Sequence, residues 1–124
     1  MNPYLNVFIG SGLGGMLRYT ANVWIPRALG TAFPYHTLIV NIVGSLVMGL
    51  LAGYFALKSD PGQNWRLFLT TGIMGGFTTF SAFSLDTVVL YQRGEVALAA
   101  YYVLASVGVS LAALFAGLAI MRAV

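Results

Sequence analysis

Residues 72–84 have the sequence GIMGGFTTFSAFS and lie in the middle of an apolar run that is long enough to cross a membrane. The adjacent Gly75 and Gly76 each weaken a helix by roughly 1 kcal/mol relative to alanine. The hydroxyl groups that follow them can hydrogen-bond to the backbone and compete with helical pairing. We therefore predict a transmembrane helix that is broken near its centre. Broken backbone at membrane depth is tolerated only where it is buried in protein or lines a cavity.

Phenylalanines recur in the same stretch at intervals of three residues, at Phe77, Phe80 and Phe83. This spacing turns large aromatic faces in related directions along a helix. Together with the carbonyl groups that the break frees, these rings are predicted to line a cavity.

The composition of the chain excludes a water-soluble fold. Of its 124 residues, 59% are hydrophobic and only 7% are charged, whereas a soluble domain carries about 25% charged residues. The absence of cysteine excludes disulfides, thiolate metal sites and cysteine catalysis. The six basic residues are spread thinly along the chain. That pattern is typical of the flanks of membrane spans, and it predicts a lipid bilayer, not nucleic acid, as the surrounding partner.

The apolar runs predict a single all-α domain, residues 1–124, that crosses the membrane with four helices. The predicted spans are 4–25, 37–57, 66–91 and 96–121. The N-terminus has neither a basic region nor a clear cleavage site, so we expect the first run to remain as a permanent span.

Glycines in the first span match a nucleotide-binding pattern by their spacing alone. Gly10, Gly12 and Gly15 fit G-x-G-x-x-G, but that motif needs a preceding strand and an acidic residue about 20 positions further on. The first acidic residue in the chain is Asp60. The pairs Gly10/Gly14 and Ser11/Gly15 instead predict close packing against another helix.

Two polar residues lie on otherwise apolar spans, and each has two explanations. Arg18 could snorkel to the membrane interface, or it could face an aqueous vestibule. Asn41 shares one helix face with Thr37 and Ser45. Its amide could join two helices by hydrogen bonding, or it could contact a pore or a substrate.

A track of hydroxyl groups follows one face of the fourth span, at Tyr102, Ser106 and Ser110. These hydroxyls could bond back to their own helix. They could also form a ladder for a hydrogen-bond acceptor over about 12 Å of helix rise. Two titratable residues are expected to be interfacial: Asp86, the only acidic residue in any predicted span, and His36, which lacks partners for a metal site.

Basic residues are divided equally between the two sides of the membrane. Four spans place three of them on each side, Lys58, Arg66 and Arg122 on one and Arg18, Arg27 and Arg93 on the other. Because orientation follows the Lys/Arg bias of short loops, this balance predicts insertion in both orientations. Two inverted copies would form a homodimer about a two-fold axis in the membrane plane. Such an isologous contact would bring the broken helix against its own copy.

Three stretches together resemble the Fluc (CrcB) family of fluoride channels. The sequence GGFTTFSAFS at 75–84 resembles that family's signature, and GGMLRY at 14–19 and TLIVNIVGS at 37–45 resemble its first two helices. The order, the spacing and the four-span length all match, so the resemblance covers essentially the whole chain.

The resemblance implies a fluoride-specific channel in the cell inner membrane that exports cytoplasmic fluoride. It implies a dual-topology homodimer with two separate pores and a central, structural Na⁺ that is not transported. By matching position, the main-chain carbonyls of Gly75 and Thr78 would bind that Na⁺. Without the resemblance, the hydroxyls of Thr78 and Thr79 or ordered water could satisfy the same carbonyls.

Pore residues also follow from the resemblance by matching position. It implies a vestibule arginine at Arg18. It implies fluoride contacts at Asn41, Phe80, Phe83, Tyr102, Ser106 and Ser110.

These residue types suit a small, strongly hydrated anion. Amide and hydroxyl groups can donate hydrogen bonds in place of lost water. Phenylalanine offers no conventional donor, but its ring edge is electropositive. Weak stabilisation of this kind suits conduction, because an ion must bind loosely enough to leave.

Three other functions remain open from the residues alone. A dual-topology, proton-coupled multidrug or cation exporter would need a titratable carboxylate near the bilayer centre, and Asp86 lies toward the end of its span. A membrane enzyme would need a nucleophile and a base, and the chain offers no plausible pair. The third alternative is a purely structural subunit.

Overall fold

The computed structural model describes residues 2–124, and the regular elements in this range are all helices. Helix α1 spans Pro3–Leu29 and α2 spans Tyr35–Leu57. The third segment is divided into α3, residues 63–77, and α4, Phe80–Gln92. Helix α5 spans Val96–Ala123. The four predicted segments are therefore present, and the third is broken as predicted.

Three segments are long and apolar enough to cross a membrane, namely Tyr35–Leu57, the broken Gln63–Gln92 and Val96–Ala123. Helix α1 has 27 residues, which corresponds to about 40 Å of helix. It is not among these candidate spans. It also continues through Pro26, where the sequence predicted its end, and stops at Gly30, whose φ is 86°.

Helices α2 and α5 pack together through small residues. A Cβ atom at Gly117 would lie 2.6 Å from the carbonyl oxygen of Leu46, and one at Gly49 would overlap the backbone of Leu114. Only glycine fits such a close approach of two backbones. These two glycines therefore set the close approach of α2 and α5.

Helix α1 packs equally closely against α3. A Cβ atom at Gly10 would lie 2.9 Å from the Cα atom of Gly72, and one at Gly14 would overlap the backbone of Ile73. By contrast, a Cβ atom at Gly12 or Gly15 would meet nothing within 4 Å. The glycine pattern therefore serves helix packing at Gly10 and Gly14, and the expected contact at Gly15 is not found.

The backbone of α3 is not a regular α-helix. A π-helix covers Leu67–Met74, between single α-helical turns at Gln63–Arg66 and Gly75–Phe77. The hydroxyl of Thr70 donates to the carbonyl oxygen of Arg66 at 2.6 Å inside this region. π-Helical turns inside α-helices are frequent at functional sites, and this one leads directly into the break.

The break consists of two extended residues, Thr78 with φ −84° and ψ 161° and Thr79 with φ −153° and ψ 123°. The sequence attributed the break to the glycine pair and to the hydroxyl residues that follow it. Gly75 is helical, with φ −63° and ψ −38°, so the break lies at the threonines and not at the glycines. Thr79 ends the break as the N-cap of α4, because its hydroxyl accepts a hydrogen bond from the amide of Ala82 at 3.1 Å. Threonine is among the residues that favour this position.

Candidate functional site

An open cavity of about 370 Å³ lies between α2, the break and α5. Glycine at position 44 leaves room for the Thr78 side chain at one wall of this cavity. Five of the predicted pore residues line the cavity: Asn41, Phe80, Phe83, Ser106 and Ser110.

Asn41 holds the backbone of the break. Its Nδ2 donates to the carbonyl oxygen of Thr79 at 3.0 Å, and its Oδ1 accepts from the Thr79 amide at 2.9 Å. One side chain thus satisfies both polar groups of an extended residue that has no helical partner. The predicted joining of helices by Asn41 is confirmed. The second N–H of the amide is not used in this pairing, so a contact with an ion in the cavity stays a prediction.

The two phenylalanines that are predicted to line a pore are adjacent but differ in exposure. The ring centroids of Phe80 and Phe83 are 5.4 Å apart, with 56° between their planes. Phe83 is 9% exposed and packs in the core, whereas Phe80 is 76% exposed. One wall of the cavity is therefore an aromatic pair of which the outer ring is uncovered in the single chain.

The hydroxyl track on α5 contains two kinds of group. The Tyr102 hydroxyl donates to Oδ2 of Asp86 at 3.1 Å. The Oγ atoms of Ser106 and Ser110 are buried and have no hydrogen-bond partner within residues 2–124. The expected bonds from these serines to their own helix are absent. Because an unpaired buried hydroxyl costs free energy, two donors at the cavity wall are available to a ligand.

Arg18 lies at the break but does not line the cavity. The half-buried side chain donates from Nε to the carbonyl oxygen of Gly76 at 3.1 Å. Guanidinium has five N–H donors, so others remain for solvent or an anion. The structure therefore does not bring Arg18 together with the pore residues, and its role in a vestibule stays a prediction.

The carbonyl oxygens of Gly75 and Thr78 accept no hydrogen bond from residues 2–124. Neither threonine hydroxyl at the break satisfies them. The Thr78 hydroxyl donates to the carbonyl oxygen of Met74 at 2.9 Å, and the Thr79 hydroxyl caps α4. In the part of the chain that the structure describes, no cluster of three His, Cys, Asp or Glu side chains could hold a metal ion.

Two contacts at one end of the hydroxyl track were not predicted from the sequence. Asp86 is a hydrogen-bond partner of Tyr102, and Phe33 packs edge-on against the same tyrosine. A signal for the first contact existed. Asp86 and Tyr102 lie at equal distances before and after Gly94, which closes the tight turn between two antiparallel helices. No comparable pattern marks Phe33, because it lies in a loop.

Comparison with known proteins supports the resemblance. The family model for CrcB-like protein, Camphor Resistance (CrcB), matches residues 5–118. The chain belongs to the CrcB family. A fluoride-specific ion channel FluC of Rhodopseudomonas palustris (strain BisB5) is 63% identical over 121 residues, which cover 98% of each chain.

Other CrcB relatives agree over their full length. FluC 2 of Nitrobacter hamburgensis is 55% identical over 119 residues, 96% of each chain. FluC of Granulibacter bethesdensis is 54% identical over 122 residues, 98% of this chain and 96% of the relative. Both relatives are fluoride-specific ion channels by name. The CrcB family is thus one of ion channels, which confirms that the chain is not an enzyme.

Proposed function

We propose that this chain conducts fluoride across the cell inner membrane, down its electrochemical gradient and out of the cytoplasm. The observation that carries the proposal is the pair of buried, unpartnered hydroxyls of Ser106 and Ser110 on the wall of the cavity. Buried polar groups are normally paired, so two free donors on one wall favour an acceptor as ligand. Fluoride is the acceptor that the names of the relatives indicate.

Hydrogen-bond donors and aromatic rings together replace the water that fluoride loses when it enters the cavity. The two serines are one helical turn apart, about 6 Å of rise, so an ion can pass from one hydroxyl to the next. Asn41 can offer its second N–H from the opposite wall. The electropositive edges of Phe80 and Phe83 add weaker stabilisation between them. Sites of moderate strength in series allow both entry and exit.

Arg18 is proposed to increase the anion concentration at a pore mouth. Its guanidinium lies beside the break because it donates a hydrogen bond to the Gly76 carbonyl oxygen. A charge that is half shielded from solvent attracts counter-ions more strongly than an exposed one. We assign it to the vestibule rather than to the cavity.

An antiparallel homodimer with two pores is the proposed assembly. The equal division of basic residues between the two sides supports insertion in both orientations. The exposure of Phe80, which lines the cavity but is largely uncovered, supports a second copy as the missing wall. In this arrangement α1 serves as a fourth span despite its polar residues, because a partner helix can cover them.

A structural Na⁺ on the dimer axis fits the carbonyl oxygens of Gly75 and Thr78, which lack hydrogen bonds within the described chain. Unwound backbone carbonyls bind Na⁺ in other membrane proteins. When bound, the cation would supply positive charge that balances these oxygens. The chain contributes the break itself, which Asn41 holds in the extended conformation.

Ion efflux from proteoliposomes tests the proposal. Vesicles that contain the purified chain and potassium fluoride should release fluoride when valinomycin carries potassium as the counter-charge. Vesicles that contain the chain and potassium chloride should release chloride no faster than empty vesicles, which contain no protein. Omitting valinomycin should stop the release, since a channel is electrogenic. Fluoride retention equal to empty vesicles would contradict the proposal. Exchange of an organic cation driven by a proton gradient would favour the exporter instead.

A further inference from the structure

An aromatic chain continues beyond the proposed pore residues toward the loop between α1 and α2. From Phe80 to Phe83 and from Phe83 to Tyr102, the ring centroids are 5.4 and 5.3 Å apart. The next ring is Phe33, whose centroid is 5.4 Å from that of Tyr102 in an edge-on arrangement. Phe33 thus adds a fourth ring to the series, although it belongs to the loop at residues 30–34.

This end of the hydroxyl track is closed. Tyr102 is 0% exposed and Phe33 is 7% exposed, and the neighbouring Thr37 is 2% exposed. The cavity reaches Phe83 and Ser106 but does not include Tyr102. A route from the serines to the water on this side must therefore pass through the packed rings of Tyr102 and Phe33.

The ring of Phe33 is held by side-chain packing, and its backbone by a hydrogen bond from the Tyr35 amide to the Phe33 carbonyl oxygen at 2.8 Å. Its ring contacts that of Tyr35 at 4.9 Å and that of Tyr101 at 6.0 Å. The surrounding residues 31–34 are not helical, so no helical hydrogen bond fixes the position of the ring. A loop side chain of this kind can move aside without unfolding a helix.

The geometry points to Phe33 as a constriction at this end of the anion path, an inference that rests on the proposed function. The Tyr102 hydroxyl is occupied by Asp86, so it does not help an ion past the ring. Phe33 then presents an apolar ring with no hydrogen-bond donor. Apolar constrictions restrict conduction because they exclude water from the path. Phe33 therefore limits the rate at which fluoride leaves or enters on this side.

Substitutions of different size test the constriction by fluoride efflux from proteoliposomes. Phe33→Ala should increase the efflux rate about fivefold, the change that a barrier lowered by about 1 kcal/mol produces. Phe33→Trp should decrease the rate, and Phe33→Leu should fall between Ala and the wild type. Phe55→Ala is the matched control, because Phe55 packs on Tyr54 near the other end of α2. Its efflux rate should equal that of the wild type.

Each result separates the constriction from the function on which it depends. If the Ala variant does not fold, the order of rates Leu above wild type above Trp still supports the constriction. A folded Phe33→Ala with an unchanged or reduced rate would overturn it, because Phe33 would then only stabilise the loop. A wild-type chain that releases no fluoride would instead overturn the proposed function.

Discussion

The two halves of the broken segment have opposite surroundings, since α3 is closely packed and α4 borders an open cavity. Helix α3 lies against α1 with backbones in direct contact at Gly10, Gly14 and Gly76, where a Cβ atom would meet main-chain atoms of the other helix. Helix α4 instead carries Phe80 and Phe83 beside an open cavity with unpaired hydroxyls on its far wall. The third segment is therefore closely packed up to the break and borders open space after it.

The break lies outside the closely packed half of the segment. The glycine pair belongs to the packed half, and Gly76 lies against the backbone of Ser11. The break begins after the glycines and is held by Asn41 from α2 and by the cap at Thr79. Glycine therefore provides contact between helices here, and side-chain hydrogen bonds provide the unwinding.

The largest effect is expected in the packed half. Gly14→Val would place side-chain atoms against the backbone of Ile73 and Phe77, neither of which can move freely. We expect a loss of stability of about 3 kcal/mol or more, at the upper end for overpacked sites. Size-exclusion chromatography in detergent should show little folded protein.

Gly15→Ala is the matched control for this effect. A Cβ atom at Gly15 would meet nothing within 4 Å, and alanine favours a helix by roughly 1 kcal/mol over glycine. Equal yields and melting temperatures for Gly14→Val and Gly15→Ala would contradict the account of α1–α3 packing.

A smaller effect is expected where the break is held. Asn41→Ala leaves the amide and the carbonyl of Thr79 unpaired, which costs about 1–3 kcal/mol. Exchange of the Thr79 amide hydrogen with deuterium should therefore speed up by roughly tenfold or more. Ser45→Ala, one turn further along the same helix face, should leave that rate unchanged. Equal protection of the Thr79 amide in both variants would mean that Asn41 does not hold the break.

The smallest effect is expected in the exposed loop that precedes α3. A hydrogen bond from the Gly62 amide and the ion pair with Arg66 hold the pKa of Asp60 below its ordinary value. Because the pKa is lower in the folded chain, this contribution to stability is present above the pKa of an unfolded aspartate. It is lost as the pH falls through the folded value.

An NMR titration of the Asp60 carboxyl measures this shift. The midpoint should lie below about 3.9, the value for an unstructured aspartate, and Arg66→Gln should raise it. Gln63→Ala, in the same loop region but without contact to the carboxylate, should not. If Arg66→Gln does not change the midpoint, the ion pair does not lower the pKa of Asp60. Exposed ion pairs contribute little in many proteins.

Apolar runs predicted the helices well because a helix that crosses a membrane needs about 20 consecutive, mostly apolar residues. The break was predicted within residues 72–84, and the part of its cause that was assigned to the hydroxyl residues is confirmed at Thr79. The part that was assigned to Gly75 and Gly76 was wrong, and the sequence does not show that Asn41 reaches Thr79. The π-helix at Leu67–Met74 was missed for a similar reason. A π-helix has the same apolar composition as an α-helix, so hydropathy does not distinguish them.

The sequence predicted the residue types of the candidate site better than it predicted the contacts between them. Ser106 and Ser110 were recognised by helical spacing, but only the structure shows that neither hydroxyl bonds to its own helix. Arg18 was assigned to a vestibule by resemblance, and its contact with Gly76 could not be predicted because it depends on how α1 packs. Local sequence patterns do not predict contacts between distant segments, such as that of Phe33 with Tyr102, because these contacts depend on tertiary packing.

The central claim is that the free hydroxyls of Ser106 and Ser110 bind fluoride as it passes. Fluoride efflux from proteoliposomes that contain Ser106→Ala/Ser110→Ala tests it most directly, with the exposed loop variant Ser59→Ala as control. We expect a rate lower by about a hundredfold or more, since two hydrogen bonds to a charged ligand are lost and each contributes about 1.5–3 kcal/mol. The melting temperature should be unchanged or higher, because two unpaired buried groups are removed. An efflux rate equal to that of the wild type in a folded double variant would contradict the account.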